Sequence, residues 1–308
     1  VILAAGLTPA WQQTLCFDSL ELGAVNRARE AHWCASGKVI NVAIALAQLG
    51  AECRMISPIG TNVRAEVERE LAGLGVQSRL VVCDTPTRVC TTLLESANGT
   101  VTELVENARP LEAAVIERVT KLFAAETPSA SVVVLTGSLP SGTPATFYRD
   151  RAAASRGKVI LDARGPELLA ALEARPFAVK PNREELAQTM REPLSDDASL
   201  VAAMRGLNAR GAQWVVVTEG KRAVWATSAD GVWRLQSLAV EHVVNPIGCG
   251  DCLTAGLAWG LSSDRDLLQS LAIGIAAAAQ NAAQLLPARV NGPQALDAAG
   301  RVAIERVQ

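Results

Sequence analysis

Apolar and polar positions along the chain fall into two alternating textures. Short runs rich in valine, isoleucine and leucine have the texture of strands buried on both faces, and longer stretches between them carry apolar residues at helical spacing. Strands are predicted at Val1 to Ala5, Cys53 to Ser57, Ser131 to Thr136, Lys158 to Asp162, Phe177 to Lys180 and Trp214 to Thr218. Helices are predicted at Gly37 to Leu49, Val63 to Leu74, Glu112 to Ala125, Pro144 to Ala154 and Leu200 to Ala209. The stretch Cys249 to Leu286 reads as two nearly continuous helices parted near Ser262 to Asp264. Such alternation builds βαβ units on a parallel sheet. No period of about 20 to 50 residues repeats, which argues against a solenoid.

One segment breaks the pattern. From Val76 to Val105 short strands follow one another with turn residues at Asp84 to Pro86 and at Asn98-Gly99, and no helix intervenes. Asn-Gly between two β-rich runs signals a hairpin. Together with the polar segment Ser19 to Arg29, this region predicts a small sheet projecting from the main body and placed to cover a ligand. The chain therefore reads as one α/β domain over residues 1–308, with a lid drawn from about 8–30 and 76–106.

Composition narrows the partners. The 308 residues are 49% hydrophobic and 19% charged, and 29 Lys+Arg against 31 Asp+Glu give a formal net charge of −2. That is a chain with enough apolar surface for a large core, without the dense positive surface that nucleic acid or an anionic membrane demands. No apolar run reaches the roughly 18 to 20 residues that span a bilayer. Seven cysteines, an odd number scattered along a long chain, do not resemble a disulfide framework and suit a reducing compartment, so a cytoplasmic location is expected.

Four motifs carry candidate chemistry. The first is Gly248-Cys249-Gly250-Asp251 at the start of an apolar helix. Glycines expose backbone N–H groups and a helix N-terminus adds partial positive charge, so the segment suits an anion, and Asp251 stands where it can take a proton from an attacking hydroxyl. A helix cap explains the same residues. The second is Lys180-Pro181-Asn182-Arg183-Glu184-Glu185, in which Asn182 and Glu185 lie one helical turn apart on one face and could order the waters of a Mg²⁺ ion. Taken alone, the motif is better explained by a cap and a charged surface. The third and fourth are small-residue turns at strand ends, Ser36 to Ala43 and Thr136 to Gly142. All four lie where open parallel sheets bind ligands, beyond the carboxyl ends of their strands.

In this order and at these separations the four motifs resemble the PfkB carbohydrate kinases of the ribokinase-like superfamily, over essentially the whole chain. Leu22 to Arg27, Thr87 to Cys90 and Gly137 to Pro140 resemble most the branch containing 1-phosphofructokinase and tagatose-6-phosphate kinase. The resemblance implies a three-layer α/β/α sandwich with a mostly parallel central sheet and a β-sheet lid. It implies Asp251 as general base and the backbone of Gly248, Cys249 and Gly250 as anion hole. It places Asn182, Thr218, Glu219, Gly220 and Asn281 near ATP, with Asn182 and Glu185 organising Mg²⁺ through water. It puts Gln12, Gly37, Lys38, Asn41 and Ser138 on the sugar side, with Arg27 and Arg88 holding a phosphate already on the sugar.

The expected activity is transfer of the γ-phosphate of ATP to a primary hydroxyl of a phosphorylated ketohexose, of the fructose 1-phosphate, tagatose 6-phosphate or fructose 6-phosphate type. The alternatives are a kinase for an unphosphorylated sugar or nucleoside, and a catalytically weak regulator that binds sugar phosphate. Departures from the family pattern motivate them. The sugar turn reads Ser36-Gly37-Lys38-Val39 where more glycine is usual, and Gln12 stands where an aspartate grips sugar hydroxyls. Trp11 is expected to stack on a sugar face or to fill the lid, and Arg164, where a smaller residue is common, to be a phosphate contact or a surface arginine. Cys249, at a helix N-terminus, is expected to ionise more readily than a free thiol. A homodimer through the lid is a further expectation.

Overall fold

The computed structural model describes residues 1–308 and contains fourteen strands. These are β1 (Ile2–Ala5), β2 (Ala10–Phe17), β3 (Glu30–Ser36), β4 (Cys53–Gly60), β5 (Gln77–Cys83), β6 (Arg88–Glu95), β7 (Thr100–Val105), β8 (Val132–Thr136), β9 (Lys158–Asp162), β10 (Ala178–Val179), β11 (Trp214–Val217), β12 (Val224–Ser228), β13 (Gly231–Leu235) and β14 (Ile304–Arg306). Ten of them form the main sheet in the order β14-β13-β12-β11-β10-β9-β8-β1-β4-β5, parallel from β5 to β11 and antiparallel beyond.

The two-residue period of the strands splits the core. Ile2 and Ala4 of β1, and Val132 and Val134 of β8, point into one apolar cluster. Leu3 and Ala5, with Val133 and Leu135, point into another on the opposite face. Both faces are covered, which is why these strands are continuously apolar rather than alternating. The first cluster is closed by the helices Lys38–Gln48, Arg64–Gly73, Cys249–Ser262, Leu267–Ala282 and Gly292–Ala299. The second is closed by Ala113–Glu126, Phe147–Ala154, Gly165–Ala171, Arg183–Met190 and Asp197–Ala209. The result is the expected three-layer sandwich of ribokinase-like form.

The remaining four strands form a separate sheet, β3-β2-β6-β7. Its β6–β7 hairpin turns through Asn98-Gly99, as the sequence predicts. Two boundaries differ from expectation. Gln77–Cys83, read with the lid, is the edge strand of the main sheet and pairs parallel to β4. The helix Arg64–Gly73 between them is the crossover that a parallel pair needs. Ser19 to Arg29 contains no strand, and the lid's fourth strand is β3, immediately beyond it.

The helices Cys249–Ser262 and Leu267–Ala282 pack closest of all. A Cβ at Gly256 would stand 2.5 Å from the backbone of Gly274, and one at Gly260 would stand 2.5 Å from Ser270 Oγ. These small residues let one helix backbone rest on the other and fix the helix whose N-terminus carries Asp251. Intrinsic propensity alone would make Gly256→Ala stabilising by about 1 kcal/mol. We expect the clash to win, with a net loss of about 1–3 kcal/mol and a lower urea midpoint at unchanged slope. An unchanged or higher midpoint would show that the two helices part without cost.

Candidate functional site

A cavity of about 430 Å³ lies between the carboxyl ends of the central strands and the lid. Its wall takes Gln12, Arg88 and Glu103 from the lid sheet, Gly37, Lys38 and Asn41 from the first helix and its turn, and Gly248, Gly250 and Asp251 from the helix Cys249–Ser262. Four acidic side chains (Glu103, Asp162, Glu185, Asp251) face four basic ones (Lys38, Arg88, Lys180, Arg164). The near-neutral charge of the whole chain is thus repeated inside the cavity.

Asp251 sits in the first turn of its helix and is only 7% exposed. Its Oδ2 accepts a hydrogen bond from Asn41 Nδ2 at 2.7 Å, and Ser36 Oγ in turn lies 3.1 Å from Asn41 Oδ1. Burial, reinforced by the nearby charge of Asp162, pushes the Asp251 carboxyl up to about 7, against the opposing pull of Lys38, Asn41 and Lys180. A carboxyl poised there can both take and return a proton near neutrality. Gly248, the residue before the helix, has φ +86°, a conformation that disfavours any side chain, and a Cβ there would also approach Pro287 Cβ to 3.1 Å.

Beneath Asp251 lies a second carboxylate, which no motif in the sequence marks. Asp162, at the end of β9 and 1% exposed, accepts from Lys38 Nζ at 2.8 Å and stands 3.3 Å from Lys180 Nζ. Thr254 Oγ1, one helical turn past Asp251, is 3.4 Å away. Burial works against ionisation of Asp162, yet Lys180 and Lys38 hold its carboxyl below the usual range. Lys38 is held above its ordinary value by Asp162, Glu185 and Asp251 in spite of burial. Asp162 is legible in the sequence only as a polar residue closing an apolar strand, and Lys180 only as the residue that opens the Asn182–Glu185 motif; strand ends are where such sheets place ligands.

Asn182 and Glu185 form a reciprocal cap. Asn182 Oδ1 accepts from the Glu185 N–H at 2.7 Å, and Glu185 Oε2 accepts from the Asn182 N–H at 2.9 Å. The cap and the cavity wall are the same residues, since both line the cavity and Glu185 Oε1 stands 3.6 Å from Lys38 Nζ. No group of three His, Cys, Asp or Glu side chains is placed to ligate a metal directly. Glu185 Oε1, left out of the cap and approached only by Lys38, instead suits a hydrated Mg²⁺ ion, which keeps several waters and takes its other ligands from phosphates.

Other expected residues are distributed unevenly. Gly37, Lys38, Asn41, Ser138, Thr218 and Arg88 line the cavity. Gln12 does too, and its Nε2 donates to Thr92 Oγ1 at 2.8 Å, leaving its carbonyl oxygen available. Arg88 is anchored by the carbonyls of Glu106 at 3.1 Å and Thr8 at 3.4 Å. Trp11 stacks on Trp33 within the lid, with ring centroids 6.1 Å apart, rather than facing the cavity.

Five residues depart from their expected places. Arg27 lies in the exposed loop between β2 and β3 and does not reach the cavity of its own chain. Glu219 is tied to Arg183 and Arg222 at 3.0 and 3.1 Å, and Gly220 is in an exposed turn, so neither forms the wall. Asn281 is buried behind the Gly248 loop, donating to Ile247 O at 2.9 Å and accepting from the Ala288 N–H at 2.6 Å, which makes it a support for that loop. Cys249 turns its Sγ away toward Ala278 O and Asn281, and its N–H donates to Pro246 O. Burial pushes the Cys249 thiol up, outweighing the Asn281 contact and reversing the expectation of an easily ionised thiol. The backbone facing the cavity is that of Gly248 and Gly250.

Comparison with known proteins agrees with this architecture. Residues 14–289 match the pfkB family of carbohydrate kinases. A 1-phosphofructokinase from Xanthomonas campestris pv. campestris is 34% identical over 275 residues, covering 86% of each chain. Among solved structures, the tetrameric inhibited form of phosphofructokinase-2 from Escherichia coli superposes with a TM-score of 0.87 at 22% identity, covering 97% of this chain and 98% of that one. Ribokinase from Arabidopsis thaliana, complexed with ribose and ATP, superposes with a TM-score of 0.75 at 19% identity over 96% and 98%. The chain belongs to the pfkB family of carbohydrate kinases, ATP-dependent phosphotransferases with an alcohol group as acceptor.

Proposed function

We propose that the chain transfers the γ-phosphate of ATP to a primary hydroxyl of a phosphorylated ketohexose, with Asp251 as the general base. The observation that carries this reading is the buried Asp251 carboxyl, oriented by Asn41 beside the Gly248 and Gly250 backbone at the mouth of a helix. Similarity to a 1-phosphofructokinase supports the phosphorylated acceptor.

In this reading the acceptor hydroxyl lies against Asp251. As its oxygen bonds to the γ-phosphorus and the bond from phosphorus to the β,γ-bridging oxygen breaks, its proton passes to the carboxylate. Negative charge developing on the transferred group meets the backbone amides and the positive end of the helix Cys249–Ser262. Lys38 and Lys180, held by Asp162, keep positive charge beside the same space. Mg²⁺, bound through water to Glu185 and Asn182, would supply charge neutralisation for the nucleotide phosphates. Positioning and neutralisation are most of what phosphoryl transfer requires.

We also propose that the lid pairs with the lid of a second copy. Its support is apolar exposure on the face of that sheet turned from the cavity and on its loop: Leu22 is fully exposed, and Trp33 and Leu104 are about half exposed. Such exposure on a small sheet marks an interaction surface.

Asp251→Asn should lower turnover by roughly a thousandfold while calorimetry still registers MgATP. Wild-type kcat/KM should fall below a pH of about 7, as Asp251 takes up its proton. Because folding raises this carboxyl above its unfolded value, the native state binds the extra proton and stability declines as pH rises through that interval. Asp251→Asn should therefore melt higher than wild type at pH 8 and not at pH 4. Retained turnover, or a variant that melts lower at pH 8, would remove Asp251 from this role.

ADP release measured over fructose 1-phosphate, fructose 6-phosphate, tagatose 6-phosphate and the parent sugars should favour a phosphorylated acceptor by roughly tenfold or more in kcat/KM. Faster turnover of an unphosphorylated sugar would overturn that part of the reading. For the lid, Leu104→Asp should convert a dimer to a monomer in analytical ultracentrifugation, and a wild-type monomer at micromolar concentration would refute pairing.

A further inference from the structure

The cations around the cavity are not equivalent. Lys38 and Lys180 are committed to Asp162, and Lys38 also approaches Glu185. Arg88 is fixed by two backbone carbonyls, one at each terminal guanidinium nitrogen, so each of those nitrogens keeps a second N–H. Arg164 lines the same cavity from the segment that follows β9, and its side chain takes neither an ion pair nor a hydrogen bond from the protein. Two arginines from different layers, one from the lid and one from the sheet, thus retain donors for a ligand.

Arg164 has a second property. It also lines a side chamber of about 300 Å³ that shares Gly137, Ser138 and Ala163 with the main cavity. The chamber wall continues through Glu167 and Gln188 and includes neither Asp251 nor the Gly248–Gly250 backbone. It therefore extends the cavity over the ends of β8 and β9, on a side other than that of the proposed phosphoryl transfer. Tyr148 keeps this rim in place, its hydroxyl lying 2.9 and 2.8 Å from the carbonyl oxygens of Thr136 and Gly137.

We infer that Arg164 is a specificity-determining residue that, together with Arg88, binds the phosphate already carried by the acceptor, at the junction of the main cavity and the side chamber. The inference rests on the proposed sugar-phosphate kinase reading and deepens it. A phosphate monoester carries about −1.5 to −2 charges at pH 7, and a guanidinium meets it with paired donors that a lysine lacks. Arg27, the other arginine expected to hold this phosphate, does not reach the cavity of its own chain, so Arg164 supplies the second cation from within it. Because Arg164 is exposed and unpaired in the protein, its removal breaks no internal hydrogen bond or ion pair.

The test compares wild type, Arg164→Ala and Arg164→Lys with MgATP and each of fructose 1-phosphate, fructose 6-phosphate and fructose, with calorimetric titration of both sugar phosphates in parallel. For the phosphorylated sugar that wild type uses, Arg164→Ala should raise KM and weaken binding by roughly tenfold or more, leaving kcat within about threefold. KM for ATP, turnover of fructose and the melting temperature should be unchanged, and Arg164→Lys should recover only part of the loss. If wild type turns over a sugar phosphate and Arg164→Ala leaves its KM within twofold, or raises the KM of fructose equally, Arg164 does not read the phosphate and the kinase reading stands. If wild type neither binds nor turns over any sugar phosphate but phosphorylates fructose, the sugar-phosphate reading falls and this inference falls with it.

Discussion

The site depends on one buried carboxylate, that of Asp162. Its partners come from different parts of the fold: Lys38 opens the first helix, Lys180 follows β10, and Thr254 lies one turn into the helix that carries Asp251. A single acceptor at the end of β9 thereby sets the register of two strands and two helices around the cavity. Burying Asp162 and Lys180 fully and Lys38 in part is costly, and such clusters commonly contribute less to stability than apolar side chains of the same volume. Removing Asp162 alone would be worse than replacing the cluster, because two ammonium groups would lose their main partner. The cluster is thus better explained by the geometry it imposes than by the stability it contributes.

The same cluster separates the behaviour of two neighbouring aspartates. Asp162 receives both lysines and stays ionised below the usual range, whereas Asp251 receives one amide donor and feels Asp162 as a like charge. One environment makes a permanent anion, and the other makes a carboxyl that titrates near 7. Unequal environments for a pair of acids are a general way to divide fixed charge from proton transfer. Mutual repulsion is tolerated here because the lysines offset it from the side of Asp162.

The main sheet was legible in the sequence because strands covered on both faces leave uninterrupted apolar runs, and the helices between them keep their period. Gln77–Cys83 resembles a lid strand in sequence because an edge strand carries the same alternating texture, and only the crossover helix before it tells the two apart. In the site, motifs with glycine or a cap signature stand out in the sequence, and their Asp251, Asn182 and Glu185 line the cavity. Lys180 and Asp162 were not assigned, since a polar residue closing an apolar run looks the same whether it caps a strand or lines a cavity. Asn281 and Cys249 show the opposite failure: position near the loop was read as contact with the ligand, while side-chain direction and burial turned both toward the protein.

Connectivity explains how the lid and Asp251 stay in register. β3 ends at Ser36, Gly37 makes the turn, and Lys38 and Asn41 follow on the first helix, so an edge strand of the lid runs directly into the residues beside Asp251. Glu70 anchors that strand to the body by accepting from the Ala35 N–H at 2.7 Å and from Arg289 at 2.7 Å. Arg289 adjoins Ala288, whose N–H is taken by Asn281 behind the Gly248 loop. The lid's cavity face, with Gln12 on β2 and Arg88 on β6, is hydrogen-bonded through β2 to this same strand. A ligand held by those side chains is therefore referenced to Asp251 through covalent chain and short hydrogen bonds rather than through solvent. This linkage is what a transfer reaction dominated by positioning requires.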